Sequence, residues 1–333
     1  MDINDLAKKI QEYLADRPLV VLGSGASVPY GLPTMNSLAF ELKKDPQIQA
    51  EKESGSLFSD MITIGLEAAI DKNMLTENAK KRIREVTWKC ISKEDIKLLR
   101  DKELEDRLQP IVLMIKKVIT ASPNQMTIVT TNYDRLSEYA ADIYGATTVT
   151  GFEGSLLRRF DGFSAKVDGK RIAARERVVK ILKVHGSIDW FEDENENIVS
   201  RPDQANIPSG YAPLIVPPGK DKYSATHKEP YRTVIEEADK EFGKAGSFLC
   251  VGYGFNDSHI QPKLISQIKN VGKPIVVITK KATDECLRLV TDTNVQKYLI
   301  LEEDKTQTKV KSNDGEYTVK GCVWSLDEFM KVW

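Results

Sequence analysis

Short apolar runs, separated by longer stretches of helical spacing, set the pattern of this chain. Ile3, Leu6, Ile10 and Leu14 recur every three to four positions and predict an amphipathic helix over residues 3–15. The run Pro18 to Leu22 predicts a buried strand, and Gly31-Leu32-Pro33-Thr34 a turn. Helical patterns then dominate from about Ser37 to Lys117, with Pro33 and Pro46 as the breaks. A strand is predicted at Met126–Thr130, a helix at Arg135–Tyr144, and a β-hairpin or excursion over the glycine-rich, charged residues 147–175. Val178–Val184 is the next strand. Pro202, Pro208, Pro213, Pro217 and Pro218 make 190–228 largely extended and turning. Glu229–Phe242 is predicted helical, and Ser247–Val251, Pro274–Thr279 and Lys297–Leu301 are further buried strands. Asp314-Gly315 predicts a hairpin across Val310–Lys320, and Ser325 with Glu328 a capping box for a last short helix. Apolar strands alternating with helices give an α/β class, a parallel sheet flanked by helices. On this reading 1–36 and 122–333 form one core, and 37–121 is an inserted helical subdomain.

Composition narrows the class of partner. A chain of 333 residues can bury a large core, and its 41% hydrophobic and 29% charged content is ordinary for a globular protein. A formal net charge of −1 supplies no drive toward nucleic acid or an anionic membrane. The basic cluster Lys80 to Arg84 lies between Glu77 and Glu85, as on a solvated helix face. Cys90, Cys250, Cys286 and Cys322 form no C-x-x-C pair, which argues against a zinc module and a disulfide framework. No stretch approaches the roughly 20 apolar residues of a membrane span. Met1 to Asp5 lacks the basic-then-apolar order of a signal peptide, so a cytoplasmic location is expected.

Four polar signatures follow apolar runs, where parallel strands present ligand crevices. The first is Gly23-Ser24-Gly25-Ala26-Ser27, a turn that can offer amides and hydroxyls to a phosphate, or that packs a helix onto the sheet. A dinucleotide fingerprint needs a third glycine, but Val28 stands there, and helix replaces the second strand, so hydride transfer is disfavoured. The second is Thr131-Asn132-Tyr133-Asp134: an Asn amide can orient water or hold a ribose hydroxyl, and either polar residue can instead cap the next helix. The third centres on His185, before Gly186. Its imidazole suits proton abstraction from a hydroxyl near neutral pH, although a lone histidine can also be structural. Lys183 should point to the same face. The fourth, Gly252-Tyr253-Gly254-Phe255-Asn256-Asp257, lets a flat ligand rest on backbone, with Asp257 holding a ribose or capping a helix. His227 and His259 have no ligand-like spacing and are expected as structural or surface residues. No metal site is expected.

In this order the four signatures resemble the sirtuin superfamily, and more closely its non-deacetylating bacterial branch of defence-associated NAD-cleaving domains. The resemblance covers residues 18–35, 127–136, 179–190 and 247–260, plus Leu214-Ile215-Val216-Pro217-Pro218. It implies a Rossmann-like core in which Gly23, Ser24, Gly25, Ala26 and Ser27 line the NAD phosphates. Asn132, beside Thr131, would position the nicotinamide ribose or a water, and Asp134 would contact the carboxamide region. His185, with Gly186 behind it, would face the ribose hydroxyls as general base, while Gly252, Tyr253 and Asp257 would border the adenosine half. Deacetylating sirtuins carry two C-x-x-C pairs and Asp-Phe-Arg after the first turn. This chain has no such pairs and Thr34-Met35-Asn36 there, so neither zinc nor an acetyl-lysine channel is expected.

The activity so implied is NAD+ glycohydrolase, yielding nicotinamide and ADP-ribose, in antiphage defence by NAD depletion. An ungated enzyme of this kind would drain the cell. Gating by homo-oligomerisation or by a partner, a HerA-type ATPase or an Argonaute-type activator, is therefore expected, and the chain length leaves little room for a fused sensor. A catalytically silent NAD or ADP-ribose sensor, a protein deacylase and a scaffold are the other readings.

Overall fold

The computed structural model describes residues 2–51, 54–122, 124–163, 177–202, 204–219, 227–292 and 295–333. Helix α1 (Ile3–Tyr13) opens the chain, its Asp2 side chain accepting from the Asp5 amide and Asp5 reciprocating, a complete capping box. Strand β1 (Pro18–Leu22) is buried along its whole length. Six helices follow: α2 (Met35–Lys44), α3 (Pro46–Gln49), α4 (Ser54–Thr63), α5 (Leu66–Lys72), α6 (Glu77–Leu99) and α7 (Leu104–Ala121). Then come β2 (Gln125–Thr130), α8 (Leu136–Tyr144), β3 (Thr147–Val149), β4 (Phe152–Glu153), β5 (Arg158–Phe160), β6 (Val178–Lys183), β7 (Gly186–Asp193), β8 (Ile198–Ser200) and β9 (Tyr211–Ile215). The chain ends with α9 (Tyr231–Lys244), β10 (Ser247–Val251), α10 (Gln261–Asn270), β11 (Ile275–Thr279), α11 (Asp284–Thr291), β12 (Tyr298–Asp304), β13 (Gln307–Ser312), β14 (Gly315–Lys320) and α12 (Leu326–Val332).

Among the described residues the main sheet runs β14-β13-β12-β11-β10-β1-β2-β6-β3. It is parallel from β3 to β12 and antiparallel through the β13–β14 hairpin. Strand alternation sends Val20 and Leu22 into one apolar layer, with Leu6, Ile111 and Leu136, and Leu19 and Val21 into the other, with Val234, Phe248 and Leu264. The α/β class therefore stands. β1 has β2 on one side and β10 on the other, so the chain reverses its direction of travel across the sheet there. In open α/β sheets such a switch point opens a crevice at the carboxyl ends of the strands.

The stretch 37–121 divides. Leu42, Ile48, Leu57, Leu66 and Ile83 build a separate small core, whereas Trp88, Ile91 and Leu98 of α6 and Leu108, Ile111 and Ile115 of α7 join the main one. Arg82 bridges Asp45 at 2.7 Å and Glu85 at 3.1 Å, so the basic cluster is an ion-paired helix face.

Two differences from the sequence reading stand out. A second, antiparallel sheet (β4-β5-β8-β7-β9) replaces the irregular extended segment expected over 190–228. Only Val184 and His185 separate β6 from β7, and Gly186, at φ +84°, turns the chain from the first sheet into the second. Within residues 147–175 the expected hairpin is present, β4 pairing antiparallel with β5 in the second sheet, while β3 joins the main sheet and 164–176 lie outside the described residues. Finally, Ser325 sits at the N-cap of α12, but its hydroxyl donates to the Cys322 carbonyl (2.9 Å) and makes no cap bond, so the capping box is absent. Among the described residues no helix is long and apolar enough to cross a membrane.

Candidate functional site

The carboxyl ends of β1, β2 and β10, with His185 two residues past β6, converge on one crevice of about 200 Å3. Gly23, Ser24, Ser27, Thr131, Asn132, Asp134, His185, Tyr253 and Asp257 all line it. Another cavity, of about 230 Å3, opens near Arg17, Met126, Lys180 and Glu241. There Lys180 is already paired with Glu237 (2.6 Å) and Glu241 (3.2 Å), and none of the polar signatures reaches it. Chemistry, not size, singles out the crevice.

The glycines after β1 are explained first by packing. A Cβ on Gly23 would stand 2.4 Å from the Gly252 carbonyl oxygen, and one on Gly25 would stand 2.8 Å from the Gly252 Cα. Gly252 itself has φ +56° and meets the Ala26 amide, so the first and fourth signatures are locked backbone to backbone. The amides of Gly23, Gly25, Ala26 and Ser27 donate to the carbonyls of Val251, Gly252, Gly23 and Ser24, at 2.9–3.1 Å. What the loop presents to the crevice includes Ser24 and Ser27. Gly25, Ala26, Gly186 and Gly252 stand behind the lining, and a Cβ on Gly186 would meet the Leu214 carbonyl at 2.1 Å.

Beyond β2, Thr130 donates to the Leu22 carbonyl and accepts from the Asn132 amide (3.1 and 3.0 Å). The Asn132 Nδ2 then donates to the Gly23 carbonyl and to Ser27 Oγ, both at 2.8 Å. Ser27 passes its own hydrogen to Asp134 Oδ2 (2.6 Å), while Asp134 Oδ1 accepts from the Leu136 amide at the start of α8 (3.2 Å). Both Asp134 oxygens are thus engaged. Asn132 is clamped across two strand ends with its amide orientation fixed by two acceptors. Lys183, 1% exposed, donates to the Asp134 carbonyl and ion-pairs with Glu138 at 3.3 Å, which gives it a loop-holding role.

His185 is 4% exposed and anchored through its carbonyl, which accepts from the Val216 amide at 2.9 Å. Its Nε2 lies 3.0 Å from the Nε2 of His259 and 3.7 Å from Asp257 Oδ1. His259, expected as a structural or surface residue, is therefore brought to the site. Ligand-type atoms of His185, Asp257 and His259 all fall within 4.8 Å of one another. The signal lay in their placement: both histidines follow apolar strands that end beside the same switch point. The four cysteines are free and dispersed, with Cys250 and Cys286 buried.

Phe255, at φ +57°, holds the β10 loop in a left-handed turn that its ring secures by packing against Tyr253 (4.9 Å between centres). Burial raises the Tyr253 hydroxyl well above its ordinary pKa, and that hydroxyl finds no hydrogen-bond partner among the described residues. The helices between β1 and β2 also contribute. Glu67 of α5 and Ile91 of α6 line the crevice, a contribution the helical pattern alone did not reveal.

Compared with known proteins, residues 126–310 match the model of the SIR2-like domain. Two solved structures align over most of the chain. One, from "Structural Basis for the Mechanism and Regulation of Sir2 Enzymes", is 17% identical with a TM-score of 0.46, covering 89% of this chain and 92% of that one. The other, from "The Structural basis of Sirtuin Substrate Affinity", is 14% identical with a TM-score of 0.46, covering 87% and 92%. A comparison with curated proteins finds no match.

Proposed function

The chain belongs to the SIR2-like domain family, and from that premise we propose that it is an NAD+ glycohydrolase, cutting the nicotinamide–ribose bond to release nicotinamide and ADP-ribose. The observation that carries this reading is the meeting of Asn132 and His185 in one crevice with the loop after β1. Nicotinamide leaves a cationic linkage as a neutral molecule, so no general acid is needed. The work is to stabilise an oxocarbenium-like ribose and to aim water at it, which is positioning and electrostatics. Asn132 orients the ribose or the water. His185 takes a proton from a hydroxyl. Asp134, with both oxygens engaged, serves by holding Ser27 and through it Asn132.

NAD is substrate in this reading, with Ser24 and Ser27 toward its phosphates and Tyr253 and Asp257 toward its adenosine half. The biological role we propose is NAD depletion in antiphage defence, gated by homo-oligomerisation or by an activating partner of the HerA-type ATPase or Argonaute type. The deacylase reading is less favoured because the cysteines form no zinc-ribbon pairs.

Purified protein incubated with NAD+, alone and with candidate partners, should release nicotinamide resolvable by chromatography. Asn132→Ala and His185→Ala should each lower release by about 100-fold or more, as expected for loss of a positioned general base, with unchanged circular dichroism. Wild-type rates in both variants would refute the site. NAD+ bound tightly yet left intact would instead make the protein a sensor.

A further inference from the structure

The main sheet ends in two unlike edges. β3 is three residues long, too short to offer much to another strand. β14 has six residues and keeps an unbroken register with β13, from Gln307 opposite Lys320 to Ser312 opposite Gly315. Among the described residues no strand is hydrogen-bonded to its other side. Neither a proline nor a bulge protects this edge, and Tyr317, Thr318 and Val319 at its centre favour a strand.

The hairpin fixes which backbone groups face outward. Asn313 and Asp314 form a two-residue turn, so Ser312 and Gly315 exchange backbone hydrogen bonds. Antiparallel pairs alternate, so Val310 with Tyr317 and Thr308 with Val319 do the same. The N–H and C=O groups of Glu316, Thr318 and Lys320 therefore point away from β13, and among the described residues no turn or loop bond occupies them. The side chains of these three residues share one face and are exposed, whereas Val319 is buried on the other. Glu316 reaches Lys309 of its own hairpin at 2.6 Å and keeps a side chain 57% exposed. Lys320 has no ion-pair partner among the described residues.

Such an edge is complementary to its own copy. In antiparallel pairing about a two-fold axis at Thr318, every outward N–H and C=O finds a partner. Thr318 faces Thr318, and Glu316 faces Lys320 at both ends. Sliding one strand by two residues separates the charges and leaves an outward residue of each strand unpaired. Sliding it by four sets Glu316 on Glu316 or Lys320 on Lys320, and in-register parallel pairing does both. Like charges directly opposite are unfavourable, so the charges select one direction and one register. We propose that β14 is a homodimer interface, through which two copies of this chain join their main sheets edge to edge by antiparallel pairing centred on Thr318. The pairing does not depend on the hydrolase reading, and it gives the homo-oligomerisation proposed above a definite surface.

Sedimentation velocity of the full chain over a concentration series tests this. Wild type should pass from monomer to dimer as concentration rises. Thr318→Pro removes an N–H that β13 does not use, so the circular dichroism should be kept while the dimer is lost. Lys320→Glu and Glu316→Lys each set like charges opposite one another at both ends, and each alone should weaken the dimer by about 10-fold or more. Mixed in equal amounts, the two variants bring opposite charges together again at both ends, and a heterodimer should form with the affinity of the wild type. A wild type that stays monomeric at every concentration overturns the proposal. So does a dimer that survives Thr318→Pro, which would place the contact elsewhere on the molecule. A mixture no more associated than its two components overturns it as well, because the register centred on Thr318 requires the rescue.

Discussion

Glycine and histidine carried opposite lessons at the scale of single residues. Gly23 and Gly25 were legible as indispensable, but a chain of letters cannot show whether a glycine faces a ligand or another backbone. Here the nearest atoms belong to Gly252. Gly23→Ala should therefore act on folding before it acts on binding, because a methyl group 2.4 Å from a carbonyl oxygen has no rotamer to escape into. Overpacking of this kind costs on the order of 3 kcal/mol, and a thermal melt of apo protein should show it. An unchanged melting temperature would mean that the loop is free to separate from the strand beside it. Asn132 and His185 were legible because each follows an apolar run. His259 was missed because ligands and hydrogen-bond partners were sought by chain spacing, and it meets His185 across 74 residues.

Strand ends were legible as elements, since apolar runs of five to seven residues that alternate with helices are buried on both faces of a parallel sheet. The second sheet was not, because its strand β7 carries buried polar residues, Ser187 and Asp189, among its apolar ones and so shows no apolar run. The part played by α6 was also out of reach: its polar residues look like an ordinary helix face until their partners are known. Trp88 donates its indole hydrogen to the Ile188 carbonyl (2.7 Å). Asp95 accepts from the Arg135 amide (2.9 Å) and the Tyr139 hydroxyl (2.6 Å), tying the helix to the loop that carries Asn132. Burial pushes the Asp95 carboxyl up to about 6 from 3.8, against the pull of those two donors. A carboxyl whose pKa rises on folding contributes stability that is complete below its unfolded value and is lost as pH climbs through the folded one. Asp95→Asn has no such titration. The melting-temperature gap between wild type and Asp95→Asn should therefore shrink from pH 4.5 to pH 7.5. A gap that widens over that range would show that the ionised carboxylate is the form the fold prefers.

On the scale of the whole molecule, the switch point at β1 brings distant signatures together in one crevice. Glu67 of α5 reaches it from a helix of the small separate core, and Ile91 from α6, which contributes to both cores. An enzyme that consumes NAD has reason to be closed until assembled, so the proposed gating predicts a rate per protomer that depends on protein concentration. Nicotinamide release measured across the range in which light scattering reports self-association should rise with the assembled fraction, or rise on adding an activating partner at fixed concentration. A strict monomer turning over at a constant, full rate throughout would remove gating.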